Sequence, residues 1–292
     1  MASSKYSALR LPTQPLVGLN ELRQADRWVL EDRARALTHV INLGNGEMLC
    51  RILGRYKFYV PAADVGFGAH VMMEGMWEGW LTAFVIPRIK PGMTVVDVGA
   101  NHGYYSLLLA DLVEETGKVV AVEPHPHTAE LLRRSVFVNG FSARTRVIEA
   151  AAMAQDGQTL SLHIQASEPK NARIVSAEEA QHLSVAEVQG ISLNTALADY
   201  DKIDFMKIDV EGAEEATLLG AMEIIRRHRP DILLEFNVHR CADPVGLLDE
   251  LEAVYGALYI IGYDSKLVVA DRARLLDRSN QEDWSLYLSL TP

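Results

Sequence analysis

The segment Val95-Val96-Asp97-Val98-Gly99-Ala100-Asn101-His102-Gly103-Tyr104 constrains the fold more than any other part of the chain. An apolar run delivers Asp97 near its end, a glycine turn follows, and a helical pattern opens at once. Gly99 and Gly103 let the backbone turn sharply and approach a ligand where a Cβ would collide. The helix opening behind them presents unpaired N–H groups toward that ligand. About twenty residues past Gly103, Glu123 closes the next apolar run, where a carboxylate can accept ribose hydroxyls. This spacing predicts an adenosine-bearing ligand at the carboxyl ends of parallel strands.

The rest of the chain agrees with that frame. Short apolar runs alternate with helical patterns from residue 91 onward, the mark of βαβ units and a parallel sheet. Strands are predicted at 94–98, 118–123, 146–151, 203–209 and 231–236, with helices at 104–113, 128–139, 213–227 and 245–255. Asp156-Gly157 predicts a hairpin joining the third strand to a strand at 159–164. A polar stretch at 165–190, with a helix-like part at 177–188, interrupts the alternation. Two late strands, 257–261 and 284–290, are expected to close the sheet as an antiparallel edge pair. Before residue 90 the pattern differs. Residues 18–40 carry apolar positions at helical spacing, and Asn45-Gly46 marks a hairpin between 40–43 and 48–53, with a further strand at 57–60. The fold class is therefore α/β, a doubly wound, mostly parallel, Rossmann-like sheet with an N-terminal helix and hairpin cap. The expected division is a cap over 1–90 and a core over 91–292 with an insertion at about 165–190.

Which ligand the glycine turn serves follows from what it lacks. A dinucleotide fingerprint needs glycine where Asn101 stands, so that pyrophosphate can rest on the backbone. A P-loop needs Lys and Ser or Thr after its last glycine, whereas Tyr104-Tyr105 follows Gly103. Asp97 would repel a pyrophosphate but pairs with an ammonium, such as the amino group of a methionine moiety. S-adenosylmethionine satisfies both ends.

A second cluster, Lys207 to Glu214, again joins a strand end to a helix. Asp209 is expected in the same crevice, because all parallel strand ends share one side of the sheet. Glu211 reads equally well, and Glu214 better, as a favourable charge at a helix N-terminus. Glu235, at the end of the fifth strand, and His239 just beyond it complete the catalytic candidates, Asp209, Glu211, Glu235 and His239. His102, His125 and His127 also fall on loops at that side. A hydroxyl acceptor would benefit from a general base. Asp209 or His239 is suited to that task, with Glu211 or Glu235 orienting it. A cation held by Asp209 and Glu235 would be another route, although no spacing fixes a metal site and none is assigned.

These blocks together resemble the FkbM-type methyltransferases, a branch of the class I S-adenosylmethionine-dependent fold. The family's D-x-G-A-N-x-G-x-x-S block corresponds to residues 97–106, its acidic-Pro pair to Glu123-Pro124, and its K-I-D-x-E-G-A-E to residues 207–214. Trp77-Glu78 and Arg229-Pro230 are similar too, so the likeness spans 77–237. It implies that Glu78, Asp97, Gly99, Ala100, Asn101, Gly103, Tyr104, Ser106, Glu123, Pro124 and Asp209 hold the cofactor. It also implies an acceptor hydroxyl on a small molecule such as a sugar or secondary metabolite.

Composition narrows the partners. With 39 acidic and 28 basic residues the net charge is −11, which disfavours a general grip on nucleic-acid phosphates. The longest apolar runs are far too short to span a bilayer. Cys50 and Cys241 stand apart without metal-ligand spacing and read as reduced thiols. With no leader pattern over residues 1–15, the expectation is a cytoplasmic enzyme without membrane or nucleic-acid partners, its oligomeric state left open. The rivals are an NAD-dependent oxidoreductase, which Asn101 opposes, and a non-catalytic S-adenosylmethionine-binding protein, which has no use for the Asp209 cluster. A protein or RNA methyltransferase would share the core.

Overall fold

The computed structural model describes residues 15–165 and 167–292; residues 1–14, where no leader is expected, and residue 166 of the insertion lie outside the described residues. Two helices begin the described chain, α1 (Leu19–Gln24) and α2 (Arg27–Leu37), the second capped by Asp26, whose side chain accepts the Trp28 N–H. An antiparallel sheet follows, β1 (Val40–Asn42), β2 (Glu47–Ile52) and β3 (Tyr56–Pro61). Helices α3 (Phe67–Glu74) and α4 (Gly79–Val85) lead from it to the core.

The core opens with β4 (Thr94–Val98), α5 (Tyr104–Leu112), β5 (Lys118–Val122), α6 (Pro126–Val138) and β6 (Thr145–Ile148). Helix α5 is apolar on nearly every side and all of its residues are buried, as expected of a helix without a solvent face. It packs between the sheet and the N-terminal elements, which share one apolar cluster with it. Its single acid, Asp111, accepts the Tyr56 hydroxyl at 2.9 Å and pairs with Arg55.

The insertion is more ordered than its polarity suggests. Its elements are β7 (Ala151–Ala152), β8 (Thr159–His163), a 3₁₀ turn at Pro169–Asn171, β9 (Arg173–Val175), α7 (Ala177–Ala180) and β10 (Val185–Ile191). Three expectations are corrected here. The third core strand ends at Ile148, and Ala151–Ala152 leaves it for a second sheet of order β7-β10-β8-β9. No hairpin joins β7 to β8, because β10 lies between them, parallel to β7 and antiparallel to β8. Asp156 instead accepts the Ser192 N–H and the Thr195 hydroxyl, both at 2.7 Å. The helix-like stretch becomes one turn, closed by a Ser176–Glu179 capping box, followed by a strand. Cross-strand pairing with β8 outweighs its weak helical pattern.

After α8 (Leu193–Ala196) come β11 (Phe205–Ile208), α9 (Glu214–Leu219), α10 (Met222–His228), β12 (Asp231–Phe236) and α11 (Pro244–Tyr255). The single helix expected over 213–227 is broken at Gly220, whose backbone lies so close to Met153 that a Cβ would stand 2.0 Å from that carbonyl oxygen. The chain ends with β13 (Tyr259–Ile261), β14 (Leu267–Val269), α12 (Arg272–Leu275) and β15 (Trp284–Leu288). The main sheet has the order β14-β13-β15-β12-β11-β4-β5-β6. Its strands β6, β5, β4, β11 and β12 are parallel. The two late strands pair antiparallel, with β15 inserted beside β12 and β14 added at the edge. Strand order reverses between β4 and β11, the place where open α/β sheets bind ligands. Among the described residues no helix is long and apolar enough to cross a membrane.

Candidate functional site

At that switch point the carboxyl ends of β4, β5, β11 and β12 open onto a cleft of about 1090 Å³, the open solvent within it included. Sheet register puts Asp97 beside Lys207. A charge on a buried strand needs partners, and Lys207 finds one in Asp209, whose Oδ2 accepts its ammonium at 2.9 Å. The carboxylates of Asp209, Asp97 and Glu78 hold the lysine charged despite its burial, raising its pKa. Asp97 is fully buried; its Oδ2 accepts the Ser106 hydroxyl at 2.6 Å, and its Oδ1 has no protein partner. Burial raises its pKa against the pull of Lys207.

The glycine turn is held by Glu123, which accepts the N–H groups of Asn101 at 2.8 Å and His125 at 2.9 Å. Burial lifts its carboxyl to about 7. Gly99 has φ +75°, and a Cβ there would stand 1.7 Å from the Asp209 carbonyl oxygen. Asn101 itself is left-handed at φ +51°. Gly103 is needed for packing: it does not line the cavity, and a Cβ there would meet Leu132 at 2.3 Å. Ser106 likewise acts through Asp97.

Glu78 reaches the cavity from the loop before α4, with a left-handed backbone at φ +42° and the Tyr105 hydroxyl donating to it at 3.2 Å. Burial, then Asp209, lifts its carboxyl to about 7. Ala100, Tyr104 and Pro124 also line the cavity, Tyr104 with its hydroxyl on Thr82.

At the far end stand Asp209, Glu211 and Glu235. Arg240, from the loop after β12, bonds Glu235 at 2.8 Å and approaches Glu211 and Asp283 at 3.4 and 3.5 Å. Two influences oppose each other at Glu235. Burial and the carboxylates of Asp209, Glu211 and Asp283 raise its pKa, Arg240 lowers it, and the balance is upward. Glu214 faces the other way, accepting the Val210 and Gly212 N–H groups at the opening of α9.

The histidines are the main correction. His239 is exposed, with Nε2 against the Asn280 carbonyl at 3.0 Å, and takes no part in the cavity. His102 is buried between Phe58 and Phe67, stacked on the latter at 5.8 Å, and burial lowers its pKa to about 3. His125 caps α6. Sequence reasoning gave no role to Lys207, Tyr105 or Arg240. Lys207 carried a signal, a lone cation inside the apolar strand Phe205–Ile208. Arg240 carried none.

The lining of this cavity holds six carboxylates (Glu78, Asp97, Glu123, Asp209, Glu211 and Glu235) against two ammonium groups, Lys170 and Lys207. Such a balance repels a pyrophosphate and attracts a cation. Among the described residues no three His, Cys, Asp or Glu side chains gather into a metal-holding group.

The family model for the methyltransferase FkbM domain matches residues 97–254. Among curated proteins, a protein-L-isoaspartate O-methyltransferase of Aeropyrum pernix is 37% identical over 84 residues, 29% of this chain and 31% of that protein. The ribosomal RNA large subunit methyltransferase E of Chromohalobacter salexigens is 30% identical over 100 residues, 34% of this chain and 47% of that protein. The chain thus spans about a third to a half of the length of these relatives. Among solved structures, methyltransferase FkbM from Methylobacillus flagellatus is 17% identical with a TM-score of 0.43, over 68% of this chain and 43% of that one. The cofactor of this class is S-adenosylmethionine, and the residues present fit it. The orphaned Asp97 oxygen and the acidic lining suit an ammonium and a sulfonium, Glu123 suits a ribose, and the Gly99 cradle leaves no room for a side chain. Because the matched region contains the glycine turn, Glu123 and the Asp209 cluster, and covers more than half of the 292 residues, the chain belongs to the FkbM methyltransferase domain family.

Proposed function

We propose that this protein is an S-adenosylmethionine-dependent methyltransferase that O-methylates a hydroxyl on a small molecule such as a sugar or secondary metabolite. The observation that carries the reading is the carboxylate-rich cavity at the switch point, with Glu123 at one end and the Asp209, Glu211 and Glu235 group at the other. Glu123 holds the ribose and the glycine turn from Gly99 lies under the methionine end, while Asp97 and Glu78 receive its ammonium. Bound there, the cofactor supplies a methyl group on a cationic sulfur. Lys207, paired with Asp209 at 2.9 Å and beside Asp97 in the sheet, is already engaged by carboxylates and gives a pyrophosphate no foothold.

The choice of a small acceptor rests on how the opening is covered. The N-terminal region, read as a cap over 1–90, and the insertion meet above it: the Val65 N–H donates to the Ser167 carbonyl at 3.0 Å, and the Lys170 ammonium lies 5.5 Å from the Trp77 ring. Phe67, Trp77, Pro169 and Lys170 line the cavity from these two segments. A roofed cavity suits a compact acceptor, and the net charge of −11 disfavours RNA. Buried, unpaired Cys50 and Cys241 suit a cytoplasmic setting.

The test is transfer of label from S-adenosyl-[methyl-³H]methionine in the presence of hydroxylated small molecules, total RNA and total protein. The reading expects label in an alkali-stable ether of low molecular mass. Label confined to RNA, or to base-labile protein esters, overturns it.

A further inference from the structure

Beside the main cavity lies a second one, shallow and open to solvent, lined by His163, Gln165, Asn171, Arg173, Glu211 and Arg240. Apart from Glu211, on the loop after β11, it is built from the insertion and the loop after β12, elements that have no part in the glycine turn. Glu211 is the residue that the linings of the two cavities share. Resting on the methyltransferase reading above, we propose that the acceptor occupies the second cavity, that transfer occurs where the two cavities meet, and that Glu211 takes the proton of the acceptor hydroxyl.

Three observations support Glu211 over its neighbours. Asp209 is committed to Lys207 at 2.9 Å and Glu235 to Arg240 at 2.8 Å, whereas Glu211 stands 3.4 Å from Arg240, longer than a charge-assisted hydrogen bond. Its backbone is left-handed at φ +52° and is followed by Gly212 at φ +102°. A side chain is held in that unfavourable region only where its surroundings fix it, and the residue held there is the one that both linings share. Burial, then Asp209, lifts its carboxyl to about 7 against Arg240 and Lys170, and a base is most effective when its pKa lies near the working pH.

The balance of the step is simple. The acceptor oxygen gives its proton to the Glu211 carboxylate and its electron pair to the methyl carbon, as the carbon–sulfur bonding pair returns to sulfur. A sulfonium and a carboxylate become a neutral thioether and a carboxylic acid, and no other reactant is needed. Arg240 is a positioning residue in this scheme, spanning Glu211, Glu235 and Asp283.

The placement can be tested without knowing the acceptor. Sinefungin carries an amine where S-adenosylmethionine carries its methyl, whereas S-adenosylhomocysteine has nothing there. If Glu211 faces that position, calorimetry on the full chain will show sinefungin bound about ten- to a hundredfold tighter than S-adenosylhomocysteine, as expected for a charged hydrogen bond. Glu211→Gln should remove most of that preference while keeping S-adenosylhomocysteine affinity, and Glu235→Gln should retain the preference. The homocysteine analogue also reports folding; should Glu211→Gln not fold, Glu211→Asp replaces it, with a reduced preference expected. No preference in the parent protein, or a preference that survives at position 211, overturns the assignment. Failure of the parent to bind either analogue would instead overturn the cofactor site itself. With an acceptor from the labelling assay, Glu211→Gln should lower kcat about a hundredfold or more at unchanged KM for the cofactor, and unchanged kcat overturns the proton-transfer role.

Discussion

Replacing Gly99 with alanine tests the link between the glycine turn and the neighbouring strand end. Its φ of +75° alone costs a residue bearing a Cβ about 1–2 kcal/mol. The new methyl would also stand 1.7 Å from the Asp209 carbonyl oxygen, 2.8 Å from its carbon and 3.3 Å from Val210 Cγ1. That oxygen belongs to main chain fixed at the end of β11, where the Asp209 N–H donates to the Val98 carbonyl at 3.1 Å, so it cannot rotate away as a side-chain tip would. Relieving the contact means spreading β4 from β11, an overpacking cost of about 1–3 kcal/mol. The total is about 2–5 kcal/mol. Gly140→Ala is the control, since Gly140 has φ +77° with nothing within 4 Å of its added Cβ and should show the backbone cost alone. Denaturant unfolding of both variants, with calorimetric titration of S-adenosylhomocysteine, separates the two contributions. Gly99→Ala should be the less stable by about 1–3 kcal/mol and should lose at least about tenfold in affinity, equal to 1.4 kcal/mol, because Asp209 moves with its carbonyl. Equal stability and equal affinity in the two variants would refute the reasoning.

Three further outcomes are expected. Glu123→Ala should weaken S-adenosylhomocysteine binding by about 1.5–3 kcal/mol, the range for hydrogen bonds to a charged group; unchanged calorimetric affinity removes Glu123 from the site. Glu78 and Glu123 each have a folded pKa of about 7, above the ordinary carboxyl value, so the folded state holds their protons more tightly than the unfolded chain. The stability they contribute is complete below about pH 4 and is lost as pH rises through 7, on the order of 1–3 kcal/mol each. Thermal unfolding of the unliganded protein should therefore show a lower Tm at pH 8 than at pH 6, and a flat or rising profile contradicts the burial argument. Replacing residues 168–174 with a Gly-Ser linker should keep most cofactor affinity and abolish or broaden acceptor methylation; parental acceptor kinetics would show that the insertion does not select the acceptor.

Much of the fold can be read from local pattern, because a parallel strand is a short apolar run and its helix starts at a glycine or a cap. The strands β4, β5, β11 and β12 and the helices α5, α6 and α11 fall within a residue or two of their sequence-based positions, as do α9 and α10 together apart from the break at Gly220. The proposed cofactor end is legible for the same reason, since the places of Asp97, Gly99 and Glu123 are set within one βαβ unit. Pairings between distant segments were not legible. Residues 177–188 have no local preference strong enough to hold a helix, and β8 draws part of them into a sheet. The proposed reacting end depends on electrostatics across elements: Lys207 against Asp209, and Arg240 against Glu235, Glu211 and Asp283. Sequence alone placed His239 and Glu211 in one group of candidates. Only the packed structure turned the histidine toward the Asn280 carbonyl and set the carboxylate between two cavities, because a side chain's direction after a loop is fixed by what it packs against.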